Sequence, residues 1–508
     1  MHPNPSSPSN QATTMPPKSS PLKRFMLHWG VHPEARKQPT ATQGIEALPL
    51  PAMLHIPLLQ HSGAPAKPVV SVGQHVLKGE LLGARQGNIS APVHAPTSGT
   101  IVAISDYPAP HPSGLAVLSI SLEPDGEDRW ADCATTDDPF ALSPTDIAER
   151  VAAAGIVGMG GATFPSSVKM LLGQRSKVHT LLVNGSECEP YLSCDDRLMR
   201  ERAAQIVEGI RIVLHAVGAS RALCGIENNK PAAIEAMRQA AAAFPQIEIH
   251  ALPTLYPMGS DRQLIHVLTG QEVPSDGRSA DVGVLVHNVG TLYAIQQAVR
   301  FGRPLISRVV TVAGGALGKP RNLEALIGTP ARLLVEHCGG LREPPVRLLM
   351  GGPMMGMQLP SLDAPVIKGC SGILALAANE IPQEQPSPCI RCGQCVTACP
   401  MSLMPFEMSA HIRIGELDEA QGLKDCISCG SCSYVCPAHI PLSHYFDYAK
   451  GELTARERGK LRQESIRQLT GARKERLEAE AREKAEAAAR RKAERERAKA
   501  ATAQGKPA

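Results

Sequence analysis

CIRCGQCVTACP at residues 389–400 and CISCGSCSYVCP at residues 426–437 are two copies of one cysteine motif. Each copy has the spacing C-x-x-C-x-x-C-x-x-x-C-P, which is typical of chains that bind two [4Fe-4S] clusters. Three of the cysteines lie close enough along one loop to hold a single cluster. The fourth stands beside a proline and, in chains with two such clusters, ligates the cluster of the other copy.

The spacing therefore predicts two cross-ligated clusters. The predicted ligands of the first cluster are Cys389, Cys392, Cys395 and Cys436, and those of the second are Cys426, Cys429, Cys432 and Cys399. A pair of zinc sites is the alternative, but zinc sites close with four ligands as two C-x-x-C pairs and have no use for a third regularly spaced cysteine. A chain with two such clusters carries single electrons.

Length and composition limit the number of domains and the classes of function that the chain can have. The 508 residues are enough for about three or four domains, and the 43% hydrophobic content is enough for buried cores. The net charge of +4 is small, and nothing in its distribution resembles a nucleic-acid-binding surface. Eight of the 14 cysteines are in the motifs and six are scattered, as expected in a reducing cytoplasm. Since the sequence has no leader-like segment and no run of 18 apolar residues, any membrane role should be peripheral.

The N-terminal part predicts a short disordered segment and a small β domain. Residues 1–28 are rich in Pro, Ser and Asn and are predicted to be disordered. Residues 29–130 contain short apolar runs broken by Gly and Pro, which indicates β structure. VGQHVLKGELLG and HAPTSGTI resemble the half-motifs of biotinyl and lipoyl barrel sandwiches, but no lysine occupies the attachment position, so we expect a structural module.

A glycine-rich loop follows. VAAAGIVGMGGATFPSSVKMLLG (151–173) predicts a helix, a loop with Gly158, Gly160 and Gly161, and a second helix. Backbone N–H groups in such a loop can approach an anion at a helix start, and Lys169 lies one turn further along. Alone, the pattern is equally typical of a simple turn.

The next residues predict a βαβαβ unit. A strand at Thr180–Val183 ends in a polar loop with Asn184, Glu187 and Glu189. Parallel sheets bind ligands at the carboxyl ends of their strands, which is where these residues fall. We therefore assign residues 140–300 to a Rossmann-like α/β domain. Its remaining predicted elements are a helix at 196–217, a strand at 221–226, a helix at 231–243 and a strand at 247–252.

Taken together with the cysteine motifs, GMGGATFPSSVK (158–169) and NGSECEPY (184–191) resemble the RnfC (RsxC) family of the Rnf (Rsx) ion-translocating electron-transport complex. LPLPAMLHIPLLQHSG (48–63), RQLIHVLTGQEVP (262–274) and MGGPMMG (350–356) agree with that pattern. The resemblance covers about residues 30–450. It extends more distantly to the subunit of respiratory complex I that binds FMN and NADH.

The resemblance to the complex I subunit implies a flavin site. The residues that it implies for FMN are Gly158, Gly160, Gly161, Lys169 and Asn184, and those that it implies for NADH are Phe164, Glu187 and Glu189. Ser186 and Cys188 depart from the relative, which has an aspartate and a glycine at these positions.

The C-terminal half predicts three further regions of a multidomain α/β protein. Residues 301–378 resemble the β-grasp (SLBB-like) insert of the family, here a scaffold that presents the clusters to the flavin. Residues 379–450 predict a helical ferredoxin-type domain with two clusters, because the apolar residues between the motifs have helical spacing. Residues 451–508 are rich in Ala, Glu, Arg and Lys and predict a charged tail, helical or disordered, without a coiled-coil seam.

The resemblance implies an electron-input subunit at the cytoplasmic face of the bacterial inner membrane. It would pass electrons between NADH, FMN and two [4Fe-4S] clusters to a partner, the iron-sulfur component B of the complex, while other subunits translocate the ion. Two alternatives stay open at this stage. One is a soluble NADH diaphorase subunit. The other is a non-catalytic ferredoxin-like adaptor whose flavin site has been lost, and the departures at Ser186 and Cys188 are compatible with it.

Overall fold

The computed structural model describes residues 28–381 and 384–504. The predicted disordered N-terminus, apart from residue 28, lies outside the described residues. The chain divides into two compact units. The first comprises residues up to 406 together with 425–443, and the second comprises 407–424 together with 444 to the C-terminus.

The N-terminal domain is a barrel sandwich of two small antiparallel sheets. Leu54, Ile101 and Ile120, from three of its paired strands, are fully buried in its apolar core. The sheet orders are β2-β8-β7-β4 and β3-β5-β6. The elements of this part of the chain are α1 Gln38–Ala41, β1 Ile45–Ala47, β2 Leu54–Pro57, β3 Lys67–Pro68, β4 His75–Val76, β5 Leu81–Ala84, β6 Val93–His94, β7 Gly99–Pro108 and β8 Ala116–Pro124.

The second domain is a parallel α/β sheet, as the sequence predicts. Its strands run in the order β11-β10-β9-β12, and every pairing is parallel. Residues of β9 alternate between two apolar layers, so that Leu181 packs against the helices on one face and Leu182 against those on the other. The elements are α2 Pro144–Ala153, α3 Ser166–Arg175, β9 Thr180–Gly185, α4 Cys194–Glu201, α5 Ala203–Val217, β10 Arg221–Glu227, α6 Pro231–Ala241, β11 Ile247–Leu252, α7 Asp261–Thr269, β12 Val284–Asn288 and α8 Val289–Phe301.

One predicted helix of this domain is wrong in detail. The helix expected at 196–217 is two helices, α4 and α5, which are separated at Arg202, where φ is −132° and ψ is 30°. The sequence has no Gly or Pro at this point. The Arg202 guanidinium donates hydrogen bonds to the Glu324 carboxylate and the Tyr293 hydroxyl, so tertiary contacts accompany the break where local propensity gives no signal.

The third region contains a six-stranded mixed sheet in the order β1-β14-β13-β17-β15-β16. Strand β1 comes from the N-terminal part of the chain and pairs in parallel with β14. The sheet therefore joins distant segments, and residues 351–356 form the turn between β15 and β16. The elements are β13 Ser307–Ala313, β14 Arg321–Leu326, α9 Ala331–His337, β15 Arg347–Met350, β16 Met357–Gln358 and β17 Gly372–Leu376.

The cysteine region is helical, as its apolar spacing predicts. A glycine in the left-handed conformation starts the short helix of each motif, Gly393 with φ +78° and Gly430 with φ +77°. These two positions require glycine because a side chain there is strained. The elements are α10 Gln394–Thr397, α11 Pro405–Arg413, α12 Ser431–Tyr434 and α13 Leu442–Gln504.

The tail region forms part of the long helix α13. Over the described residues up to 504, the predicted helical tail is thus continuous with the end of the cysteine region. Within the described ranges, no helix combines the length and the apolar content needed to cross a membrane.

Candidate functional site

The carboxyl edge of the parallel sheet is built around two asparagines. Asn184 lies near the end of β9, and its amide donates to the Gly259 carbonyl at 2.7 Å. Asn288 ends β12, and its Oδ1 accepts the Gly290 N–H at 2.8 Å, which caps α8. The Asn288 amide also donates to Asp195 Oδ2 at 2.6 Å. The end of β12 is thereby tied to the start of α4.

The glycine loop lies at the same edge. The Gly158 N–H donates to the Phe164 carbonyl at 2.8 Å and closes the base of the loop. A Cβ at Gly160 would lie 3.4 Å from the Asn288 Cβ, and Gly161 has φ +124°. The exposed top of the loop thus has a bare backbone surface, which fits a flavin phosphate or ring. Lys169 is held nearby, because its Nζ donates to the Val286 carbonyl at 3.2 Å.

Glu187 contacts the start of α4. Its two carboxylate oxygens accept the N–H groups of Asp195 at 2.6 Å and Asp196 at 3.3 Å. The cation of Lys37 lies 4.0 Å from the same carboxylate. Burial raises the pKa of Glu187, and the Lys37 charge opposes that shift. Glu187 therefore caps a helix. This role could not be seen in the sequence, because α4 begins several residues later. The contact of Glu187 with NADH remains a prediction.

Glu189 reaches the turn between β15 and β16. Its carboxylate accepts the N–H groups of Met354 at 3.0 Å and Met355 at 2.8 Å. Burial raises the pKa of Glu189 to about 7, although both hydrogen bonds act in the opposite direction. This carboxylate joins the polar loop after β9 to the six-stranded sheet.

Sequence reasoning also missed the charged residues beneath this edge. Lys230 is buried, and its Nζ donates to the Ser186 carbonyl at 2.7 Å and to Glu227 at 3.1 Å. Burial raises the pKa of Asp195. The positive charge of Arg308, which is also buried, opposes that shift. These residues come from distant parts of the chain, and no local motif marks them.

The two cysteine motifs have matching local geometry. Arg391 and Ser428 occupy equivalent positions with φ of +55° and +56°. Their N–H groups each lie 3.4 Å from the sulfur of the first cysteine of their own motif, Cys389 or Cys426. Backbone N–H groups directed at a thiolate are typical of iron-sulfur ligation, so the residues present fit the clusters.

Cys399, the fourth cysteine of the first motif, lies beside the second motif. The pKa of Cys432 is raised. Burial is the largest cause, and the charges of Cys429, Cys426 and Cys399 add to it. By contrast, the cysteine charges that raise the pKa of Cys395 after burial are those of its own motif. The Cys399 side chain is thus close enough to the second motif for its charge to act on Cys429 and Cys432.

The second motif packs against the parallel α/β domain. The Tyr256 hydroxyl donates to the Cys429 carbonyl at 2.6 Å, and Cys188 of the polar loop packs against the same buried cluster. The end of the first motif contacts the same domain, because the Gln263 amide donates to the carbonyl of Pro400, next to Cys399, at 2.6 Å. In the first motif, Cys389 and Cys392 are exposed.

Family comparisons agree with this architecture. Residues 25–127 match the RnfC barrel sandwich hybrid domain, and residues 151–297 match the Nuo51 FMN-binding domain. Residues 309–358 match the SLBB domain, and residues 388–440 match a 4Fe-4S dicluster domain. The predicted fold class and the predicted cofactor domains are therefore confirmed.

Similar proteins cover most of the chain. The C component of an ion-translocating oxidoreductase complex from Rhodobacter capsulatus is 52% identical over 440 residues, 86% of this chain and 85% of the relative. A protein of the same name from Pseudomonas aeruginosa is 49% identical over 447 residues, 87% of this chain and 58% of the longer relative. The C component of a proton-translocating ferredoxin:NAD(+) oxidoreductase complex from Clostridium ljungdahlii is 45% identical over 405 residues, 80% of this chain and 87% of the relative. The chain belongs to the RnfC family, which supplies the C component of ion-translocating oxidoreductase (Rnf) complexes.

Proposed function

We propose that this chain is the electron-input subunit of its complex and exchanges electrons between NADH and a ferredoxin-linked partner. The observation that carries the proposal is the packing of the second cysteine motif, through Tyr256 and Cys188, against the parallel α/β domain that matches the FMN-binding family. When bound, FMN exchanges a hydride with a nicotinamide and single electrons with iron-sulfur clusters.

The polar edge of the sheet would hold the flavin and the nicotinamide. Gly158, Gly160 and Gly161 would offer backbone N–H groups, and Lys169 a positive charge. Asn184 would contact the flavin from the end of β9. Phe164, Glu187 and Glu189 are proposed to face NADH, and the hydrogen bonds of both carboxylates to backbone N–H groups hold them in fixed positions.

The eight motif cysteines would ligate the two clusters in the crossed pattern. One set is Cys389, Cys392, Cys395 and Cys436, and the other is Cys426, Cys429, Cys432 and Cys399. The charge of Cys399 acts on Cys432 and Cys429, which supports the second set.

The contacts also favour one order of the clusters. The second set is held against the flavin domain by Tyr256 and by the turn at Met354, whose carbonyl would lie 3.1 Å from a Cβ at Gly430. The first set reaches the surface at Cys389 and Cys392, which are exposed, and the neighbouring Ile390 is 68% exposed. The second set would therefore be near the flavin, and the first would face the partner, the iron-sulfur component B of the complex.

The chain would work at the cytoplasmic face of the bacterial inner membrane as a peripheral subunit, with ion translocation in other subunits. The proposed domains of this subunit are residues 29–130, 140–300, 301–378, 379–450 and 451–508.

The test is anaerobic purification of the chain, followed by flavin and iron determination and an NADH-to-dye assay. We expect one FMN and eight irons per chain and rapid dye reduction by NADH. Iron without flavin, and no dye reduction, would instead identify the non-catalytic adaptor.

The cluster order needs a separate measurement. In Tyr256→Phe the hydrogen bond to the Cys429 carbonyl is lost, so NADH should reduce the clusters more slowly while dye reduction at the flavin is unchanged. Tyr434→Phe, which alters a half-exposed tyrosine of α12, serves as the control. Equal cluster reduction rates in all three proteins would argue against the assigned order.

A further inference from the structure

The long helix α13 carries a one-sided basic surface near its C-terminal end. Five cations recur at intervals that return to one helix face, and this set is called the basic stripe. The basic stripe consists of Lys484, Arg491, Lys492, Arg495 and Lys499. It extends over about 22 Å at 1.5 Å per residue.

The stripe has one sign of charge. The glutamates of the same segment, Glu486, Glu494 and Glu496, fall outside the sector that the stripe occupies. The stripe side chains are all exposed, and none of the five forms an ion pair with another described residue. The earlier turns differ, since Lys474, Arg476 and Arg482 each pair with a glutamate one turn away.

We propose that the basic stripe binds the anionic phospholipid surface of the membrane. The inference rests on the proposed function, in which this chain is peripheral to a membrane complex. A row of cations on one face is complementary to a flat layer of anionic headgroups, and each added cation near such a surface strengthens binding. A protein partner fits less well, because the side chains interspersed on this face are alanines such as Ala488, and protein interfaces usually need larger apolar anchors.

Vesicle co-sedimentation of the purified, cofactor-loaded full chain tests the proposal. The stripe variant is Arg491→Gln, Lys492→Gln and Arg495→Gln. The matched control is Arg482→Gln, Arg490→Gln and Arg497→Gln, which removes the same charge from another face of the same helix. Vesicles of phosphatidylcholine with phosphatidylglycerol are compared with vesicles of phosphatidylcholine alone.

The unmodified chain and the control should bind the anionic vesicles, and added salt should release them. The stripe variant should bind about tenfold or more weakly than the control. Equal weakening in both variants, or no binding by the unmodified chain, would overturn the proposal. So would full vesicle binding by a stripe variant that fails to join the partner subunits, because the stripe would then recognise an acidic protein. Flavin, iron and dye reduction are measured on the same preparations, so a failure of the proposed function is seen separately.

Discussion

At the scale of single residues, the cysteines give the most specific prediction. If the clusters are cross-ligated, Cys436→Ala should disturb the same cluster as Cys389→Ala, and Cys399→Ala the same one as Cys426→Ala. Electron paramagnetic resonance of the reduced variants reads this directly, provided that the two native signals are resolved. The sites would be local four-cysteine loops if Cys436→Ala instead perturbs the cluster that is lost in Cys429→Ala.

The glycine loop gives a second residue-scale prediction. A valine at Gly160 places its Cβ 3.4 Å from Asn288 and covers the bare backbone, and Lys169→Ala removes a nearby charge. Both variants should lose FMN and NADH oxidation while iron content stays normal, as measured by absorbance and the dye assay. Arg175→Ala, at the exposed end of the same helix, is the control. Full flavin occupancy in both variants would place the flavin elsewhere.

The partly buried Glu189 carboxyl predicts a pH dependence of stability. Its pKa is raised from 4.5 to about 7 in the folded chain, so the folded state holds the proton more tightly than the unfolded state. The free energy of unfolding should then fall as pH rises through this range. Relative to the unmodified chain, Glu189→Gln should gain thermal stability between about pH 5 and about pH 8. The exposed control Glu149→Gln should show no such trend, and a flat difference for Glu189→Gln would contradict the raised pKa.

Contacts between residues that are close in sequence could be predicted, and contacts that form only when the chain folds could not. The cysteine spacing specifies its cofactor because the ligands of one loop are neighbours. An asparagine just before a helix is a common cap, and Asn288 does cap α8. Its partner Asp195 could not be predicted, since the two residues are 93 positions apart and meet only at the edge of the folded sheet.

At the scale of elements, the parallel sheet was predictable because its strands are continuous apolar runs between polar loops. The division of the predicted helix into α4 and α5 was not, because the Arg202 contacts with Glu324 and Tyr293 come from other elements. The same limit applies to the turn between β15 and β16. Glycines such as those of residues 351–356 are typical of a tight turn. They do not indicate that the turn lies between the polar loop after β9 and the second cysteine motif.

This turn supports an element-scale prediction. A Cβ at Gly352 would lie 2.2 Å from a Glu189 carboxylate oxygen, so Gly352→Ala should push the turn away from the polar loop. Because the same turn contacts Gly430, we expect slower reduction of the clusters by NADH with flavin content retained. Met355→Ala is the control, since it keeps the backbone N–H that Glu189 accepts. Unchanged cluster reduction in Gly352→Ala would show that the turn does not hold the second motif in place.

At the scale of the whole molecule, we expect the charged tail to be needed for membrane binding and not for cofactor binding. The last fully buried side chains of helix α13 are Phe446 and Ala449, and from residue 454 to residue 500 every side chain is exposed. A helix without a buried face adds little to folding. A chain that ends at Gly451 should therefore keep its flavin, its iron and NADH-dependent dye reduction.

The same truncation removes the basic stripe, so it should abolish binding to anionic vesicles while the cofactor assays stay unchanged. Thermal unfolding followed by flavin release should give a midpoint within a few degrees of the full chain, about the shift that 1 kcal/mol or less produces in a protein of this size. Loss of iron from the truncated chain would contradict this division, because the tail would then stabilise the cluster domain. Retained vesicle binding would contradict it differently, since the membrane contact would then lie in the part of the chain that holds the sheets and the cysteine motifs.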